Sequence, residues 1–258
     1  MQSQRLNQVM QDLIQFQSES AAYELLQFRS LVGACQFLRL YQLWDRYVAK
    51  GASVLDWGCG NGHFSYFLMR SGYQVSGFAL SDFPLRLQLQ QLSSQFPYTF
   101  KQGDPGEPTR LPYAEGEFDA VVSVGVLEHV RETGGTELGS LQEIHRILAL
   151  DGYFICYHLP NQWGVIDSLA ALIPNKYHHP YRYTRRSIEA LCQQAGLTIV
   201  AMHRYGALPR NLWGALPKPL RNAPWVARIW NGSDEILQYP FSLICQNYFF
   251  VAQKRSRL

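Results

Sequence analysis

A chain of 258 residues with 47% hydrophobic and only 17% charged side chains can bury a large core, which excludes a disordered protein. Its formal net charge of +3 is too small to argue for nucleic acid by itself. The five cysteines (Cys35, Cys59, Cys156, Cys192, Cys245) are dispersed without a CxxC spacing, which fits reduced thiols in a cytoplasmic protein rather than a disulfide framework.

The opening MQSQRLNQVMQDL lacks the basic and apolar regions of a signal peptide. Residues 1–50 read as a helical cap: Leu6, Val9, Met10, Leu13 and Ile14 recur at helical spacing, and a second series runs from Leu31 to Leu43 with Gly33 as a break. From residue 53 the texture alternates. SVLDW is a buried strand, residues 63–72 a helix stopped by Gly72, and residues 73–80 a second strand. Ser81 is the expected N-cap of a helix over 84–95. A third strand at 98–103, a Pro- and Gly-rich loop at 104–117 and a β-branched fourth strand at 118–126 follow. The next helix is expected over 137–152, ending at Asp151–Gly152, with a fifth strand at 153–159. Residues 161–183 look irregular and aromatic. A helix at 184–196, a strand at 197–206, a stretch without steady period at 206–240 and a strand at 242–254 complete the chain. Residues 236–253 are uncharged, but Gln238, Pro240, Gln246 and Asn247 interrupt them, and a spanning helix needs about 20 mostly apolar residues. Strands alternating with helices imply a mostly parallel sheet covered on both faces, here with an antiparallel hairpin at one edge.

The chemistry begins at VLDWGCGNG, residues 54–62. Gly58, Gly60 and Gly62 allow a sharp turn and close approach of backbone to a ligand, at the place where α/β sheets bind ligands. A dinucleotide fingerprint would need a further glycine where His63 stands, and Asp56 would face a pyrophosphate with like charge. Asp56 fits a ligand that carries a cation, such as an α-ammonium group. NAD is therefore disfavoured.

VLDWGCGNG resembles the glycine-rich motif of the class I S-adenosylmethionine (SAM)-dependent methyltransferases, in their small-molecule branch. Residues 111–130 (LPYAEGEFDAVVSVGVLEHV), 141–161 and 178–197 resemble later segments of that family in the right order, covering roughly residues 50–205. The resemblance implies a Rossmann-like seven-stranded sheet for residues 51–258, with aromatic insertions near 160–183 and 206–240, and SAM as cofactor. It implies that Asp56, Gly58, Cys59, Gly60 and Asn61 hold the methionine portion of SAM, that the ends of the second and fourth strands (Ala79, Leu80, Val124, Gly125) line the cofactor, and that Asp104, with Glu107 as a rival, meets the adenine. One position departs from the pattern: the family usually has an acid for the ribose hydroxyls where this chain has Ala79. Ser81 or Asp82 could reach the ribose instead, SAM could bind more weakly, or the chain could be a SAM-binding module without turnover.

Methyl transfer is an in-line displacement that needs positioning, water exclusion and, for a protonated acceptor, a base. His129 and Glu128, in VLEHV at the end of the fourth strand, are the candidate catalytic groups. In NKYHHPYRYT, His179, Tyr181 and Arg182 are candidates for acceptor binding, with Arg182 suited to an anion or to stacking on a ring. The adjacent His178 and His179 have no acid or cysteine near them in sequence, so no metal is expected. Trp213, Trp225 and Trp230 interleave with Arg210, Lys218, Arg221 and Arg228; such a mix suits an anionic lipid surface, stacking on sugars, or a plain core with a solvated face. The expected activity is methylation of a small-molecule acceptor, lipid- or sugar-linked. A nucleic-acid methyltransferase is disfavoured by the missing Asn/Asp-Pro-Pro-aromatic motif.

Overall fold

Alternation along the first strands sets the layers. In β1 (Ser53–Trp57) of the computed structural model, Val54 enters one apolar cluster and Leu55 and Trp57 enter another on the opposite face. The structure describes residues 2–19, 25–83, 85–210, 213 and 216–256, with the side chains of residues 2–4 and 218 left aside. Pro84 and parts of the 206–240 insertion thus lie outside the described residues.

The N-terminal cap is helical as expected. It comprises α1 (Gln2–Glu19), the single turn α2 (Leu31–Ala34) continued by a 3-10 turn, and α3 (Leu38–Tyr47). Ser30 caps α2 by accepting from the Gly33 amide. After β1 come α4 (His63–Arg70), β2 (Gln74–Ala79), α5 (Arg86–Leu92), β3 (Tyr98–Gln102), β4 (Phe118–Val124), α6 (Glu137–Ile147) and β5 (Leu148–Pro160). Then follow α7 (Val165–Ala170), α8 (Arg185–Gln194), β6 (Leu197–Tyr205), α9 (Lys218–Arg221), α10 (Pro224–Leu237) and β7 (Asn247–Lys254). The seven strands lie in the order β3-β2-β1-β4-β5-β7-β6, with β7 antiparallel to both of its neighbours and the other pairs parallel.

One core joins the cap to the sheet: Leu13, Phe37 and Trp44 pack with Phe64 and Phe67 of α4 and with Val54, Val75, Val122 and Ile155. On the other face, Leu141 and Ile144 of α6 and Ile188 and Cys192 of α8 cover Leu55, Val121 and Phe154. The cap shares this core with the sheet.

Four local expectations change. Ser81 does not cap α5; the Phe83 amide donates instead to Asp82, and the helix begins at Arg86 with no side-chain cap. Helix α6 stops at Ile147, and Asp151–Gly152 lies inside β5, where Asp151 takes a φ of 61° at an irregularity in the pairing with β4. The short helix α7 occupies part of the supposedly irregular 161–183. The 14-residue α10 occupies the stretch without steady period, opening on Pro224 at its first turn. Its Trp225, Ile229 and Ile236 are exposed, so solvent-facing apolar residues blur the periodicity a helix would otherwise print. Among the described residues no helix is long and apolar enough to cross a membrane, and all five cysteines are free thiols.

Candidate active site

The exit of β1 builds the first wall. Gly58, Gly60 and Gly62 all have positive φ (66°, 47° and 76°). A Cβ on Gly58 would stand 2.6 Å from both methyl groups of Val126. The Cys59 amide donates to the Phe78 carbonyl at 2.9 Å, and the Gly62 amide to the Cys59 carbonyl at 2.7 Å. The loop is thereby locked against β2 before α4 starts. Asp56 is 1% exposed and still faces the cavity. Ser65 Oγ donates to its Oδ2 at 2.6 Å, and burial pushes its pKa from 3.8 up to about 6.

The opposite wall comes from the end of β4. Val124 and Gly125 lead into a 3-10 turn, Leu127–Thr133, which presents Glu128 and His129. Glu128 is 3% exposed, and its Oε2 has no hydrogen-bond partner among the described residues. Burial, with Glu132 nearby, raises its pKa from 4.5 to about 8. His129 Nδ1 lies 2.9 Å from Glu132 Oε1. His179 reaches the same place from the 171–184 segment, with its Nδ1 3.0 Å from Asp167 Oδ1 on α7. The cavity enclosed between these walls measures about 400 Å³, suited to part of a cofactor and a small acceptor.

Two histidines to which the sequence analysis gave no role, and Arg210 of the aromatic and basic stretch, complete the lining. His63, the first residue of α4, packs on Phe37 of the cap with ring centroids 4.4 Å apart, and burial lowers its pKa to about 3. His158 sits in β5 at a pairing irregularity with φ 68°, a left-handed conformation costly for a non-glycine residue. The Tyr205 hydroxyl accepts from the His158 amide at 2.9 Å and lies 2.8 Å from its Nδ1; burial again lowers the histidine to about 3. Arg210 forms a buried ion pair with Asp234 of α10, whose Oδ1 also accepts from the Leu208 amide at 2.7 Å. That pair pins residues 206–210 over the cavity.

Of the residues singled out from the sequence, the cavity brings together Asp56, Gly58, Cys59, Gly60 and Asn61 on one wall, with Val124, Gly125, Glu128, His129 and His179 on the other. Seven lie outside its lining. Ala79 is buried in the first core cluster, and Leu80 packs against the second. Asp104 is exposed and accepts from the Gly106 amide at 2.8 Å; its rival Glu107 pairs with Arg110 at 3.0 Å. Tyr181 lies under the Arg131 guanidinium, 4.8 Å from ring centroid to Cζ. Arg182 is not stacked on a ring: it donates to Ser168 Oγ at 2.9 Å and stands 3.9 Å from Asp167 Oδ2. Asp82 is held by the Phe83 amide and by Arg86 at 3.2 Å.

The chain belongs to the methyltransferase-domain family, whose sequence pattern matches residues 8–202, and its fold is that of the class I SAM-dependent members. It is similar to the ubiquinone biosynthesis O-methyltransferases of Marinobacter nauticus (31% identical, 44% of this chain and 52% of the relative) and Pseudomonas paraeruginosa (29%, 63% and 71%). The chain spans about half the length of the first curated relatives it matches. Among solved structures, the Burkholderia thailandensis 1,6-didemethyltoxoflavin-N1-methyltransferase, with its substrate and S-adenosylhomocysteine bound, superposes with a TM-score of 0.57 at 16% identity, covering 94% of this chain and 88% of the other. A SAM-dependent methyltransferase from Methanosarcina mazei gives 0.56 at 16%, covering 83% and 98%.

Proposed function

We propose that this protein transfers the methyl group of SAM to a hydroxyl-bearing small molecule held at the Glu128–His129–His179 end of the cavity. The observation that carries the reading is Asp56, a carboxylate almost wholly out of water that nonetheless faces the cavity beside a rigid glycine turn. A buried anion placed there calls for a cationic ligand, and the α-ammonium of SAM fits it where a phosphate would be repelled. Gly58 and Gly60 let the backbone approach the methionine portion, with Cys59 and Asn61 beside it. The sulfonium supplies an activated methyl group, so the chain's own task is binding, alignment and exclusion of water. His63 and His158 are kept neutral by burial and add no positive charge against the donor. Phe37 and the pinned 206–210 segment close the cavity. The O-methyltransferases among the relatives support oxygen as the acceptor atom.

The test is calorimetry with SAM and S-adenosylhomocysteine, followed by transfer of a labelled methyl group to a panel of phenolic and sugar-linked hydroxyl compounds. Binding of both nucleosides and a labelled product are expected. A correctly folded protein that binds neither overturns the proposal. A second reading, a SAM-binding module without turnover, draws on Ala79 at the ribose position; it predicts nucleoside binding and no labelled product across the panel.

A further inference from the structure

Glu128, His129 and His179 each offer one donor atom, and the three atoms lie within 4.8 Å of one another. Glu128 comes from the turn after β4, and His179 from a segment 50 residues further on, so the cluster is a product of the fold. Two features separate it from a chance meeting of polar side chains. The first is the unpartnered Oε2 of Glu128, buried at the cavity wall. Leaving a buried carboxylate oxygen without a donor is costly, and a cation is the natural remedy. The second is that both imidazoles have a carboxylate at Nδ1: Glu132 at His129 Nδ1 (2.9 Å) and Asp167 at His179 Nδ1 (3.0 Å). With the Nδ1 proton engaged in that way, Nε2 keeps its lone pair free, which is the arrangement of carboxylate–histidine–metal sites.

We propose that Glu128, His129 and His179 bind one divalent transition-metal ion, with Glu132 and Asp167 as positioning residues and open coordination positions facing the cavity. Two imidazoles and one carboxylate suit Zn²⁺, Co²⁺, Mn²⁺ or Fe²⁺. Donors about 2.0–2.2 Å from one ion lie roughly 3–3.5 Å apart at adjacent positions. The remaining gap is about an ångström. The ion's chemical role, unlike its binding, rests on the methyl-transfer reading. An acceptor hydroxyl oxygen coordinated to the ion gives its proton to solvent more readily. The oxygen lone pair then forms the O–CH3 bond as the S–CH3 bond breaks, and its electron pair returns to sulfur as a neutral thioether.

The experiment titrates tag-free, chelator-treated full-length protein with Co²⁺, followed by its d–d absorption, and with Zn²⁺ by calorimetry. One equivalent is expected to bind. Glu128→Gln and His179→Gln should each weaken Co²⁺ at least 100-fold, and Asp167→Asn should weaken it 10- to 100-fold and change the d–d spectrum. His179 is 21% exposed at its side chain, so its replacement tests the site without opening the core. Failure of the folded wild type to bind either ion, or binding that none of the three variants weakens, overturns the proposal. SAM calorimetry on the same sample separates the two readings: binding of SAM without Co²⁺ defeats the metal site alone, and binding of Co²⁺ without SAM defeats the methyl-transfer reading alone.

Discussion

Replacing Asp56 by Asn should make the free protein more stable and its cofactor site worse. Burial raises the Asp56 pKa from 3.8 to about 6, an interval worth about 3 kcal/mol at 1.36 kcal/mol per tenfold change in proton affinity. The sign follows from proton counting. Between pH 3.8 and 6 the folded chain binds more protons at this site than the unfolded chain, so stability falls as pH rises through that window. At neutral pH the full cost is present. Asparagine removes it but keeps only one of the two hydrogen bonds that Ser65 gives to the carboxylate, which returns about 1 kcal/mol. The net gain is about 2 kcal/mol. Near 2.1 cal/mol/K per residue over 258 residues, that is a rise in Tm of about 4 °C at pH 7.5, falling to zero near about pH 4.5 and reversing below it. SAM should bind the variant about 10- to 100-fold more weakly, the worth of a charge-assisted hydrogen bond. In the wild type its affinity should climb between pH 5 and 7 as Asp56 ionises, and in the variant it should stay flat. Differential scanning calorimetry and SAM titration at several pH values measure both. A variant that melts no higher than wild type at pH 7.5, or that binds SAM with unchanged affinity, refutes the reasoning.

Other substitutions address separate parts of the site. Gly58→Ala combines a φ of 66° with a Cβ placed 2.6 Å from Val126, so denaturant titration should find a loss of about 2–4 kcal/mol, with SAM binding weakened at least tenfold. Asp234→Ala strands the buried Arg210 guanidinium and frees the Leu208 amide; about 3–5 kcal/mol should be lost in the same assay. On the proposed SAM reading, Ala79→Asp puts an acid where the family resemblance sets the ribose and should tighten SAM by about tenfold in calorimetry, at some expense in Tm because position 79 is only 8% exposed and lies in the core cluster; unchanged or weaker binding separates the ribose from this position.

Much of the scaffold was legible because it follows local rules. The β-branched fourth strand, the glycine-stopped α4 and the Thr184–Ser187 capping box at α8 all obey spacing and capping chemistry that needs no tertiary information. What failed was written in tertiary contacts. Asp151–Gly152 has the signature of a turn, and the chain does turn there, with Asp151 at φ 61° and residues 149–152 outside the pairing with β4, but pairing on both sides of the turn keeps it within β5. Helix α10 hides its period behind exposed Trp225, Ile229 and Ile236. At the site, Asp56 and its glycines could be read because one short loop carries them all. His158 could not: nothing in YFICYHL marks a strand histidine turned into the left-handed region and tied to Tyr205, 47 residues away. Nor does NKYHHPYRYT disclose that His179 lies beside Glu128 and His129, or that Arg182 spends its guanidinium on Ser168.

The division of labour within the cavity follows from where its walls originate. The wall that carries Asp56 is built at the carboxyl end of β1, inside the sheet and clamped by Val126 and Phe78, so its geometry is fixed by the fold itself. The closing surfaces come from elsewhere: Phe37 from the cap, His179 from the segment after α7, and Arg210 from the long connection between β6 and β7. None of these is needed to complete the sheet, and each is held by its own contact, namely His63 for Phe37, Asp167 for His179 and Asp234 for Arg210. The His179 and Arg210 segments can change without disturbing Asp56 or the glycine turn, whereas Phe37 shares one core with α4 and β1. The same architecture is found in a [4+2]-cyclase, SpnF, which superposes on this chain with a TM-score of 0.56 at 18% identity, so the fold leaves the reaction open. For this chain the acceptor is therefore to be sought in the groups at the far wall, where Glu128, His129 and His179 converge, and in the aromatic and basic side chains that close over them.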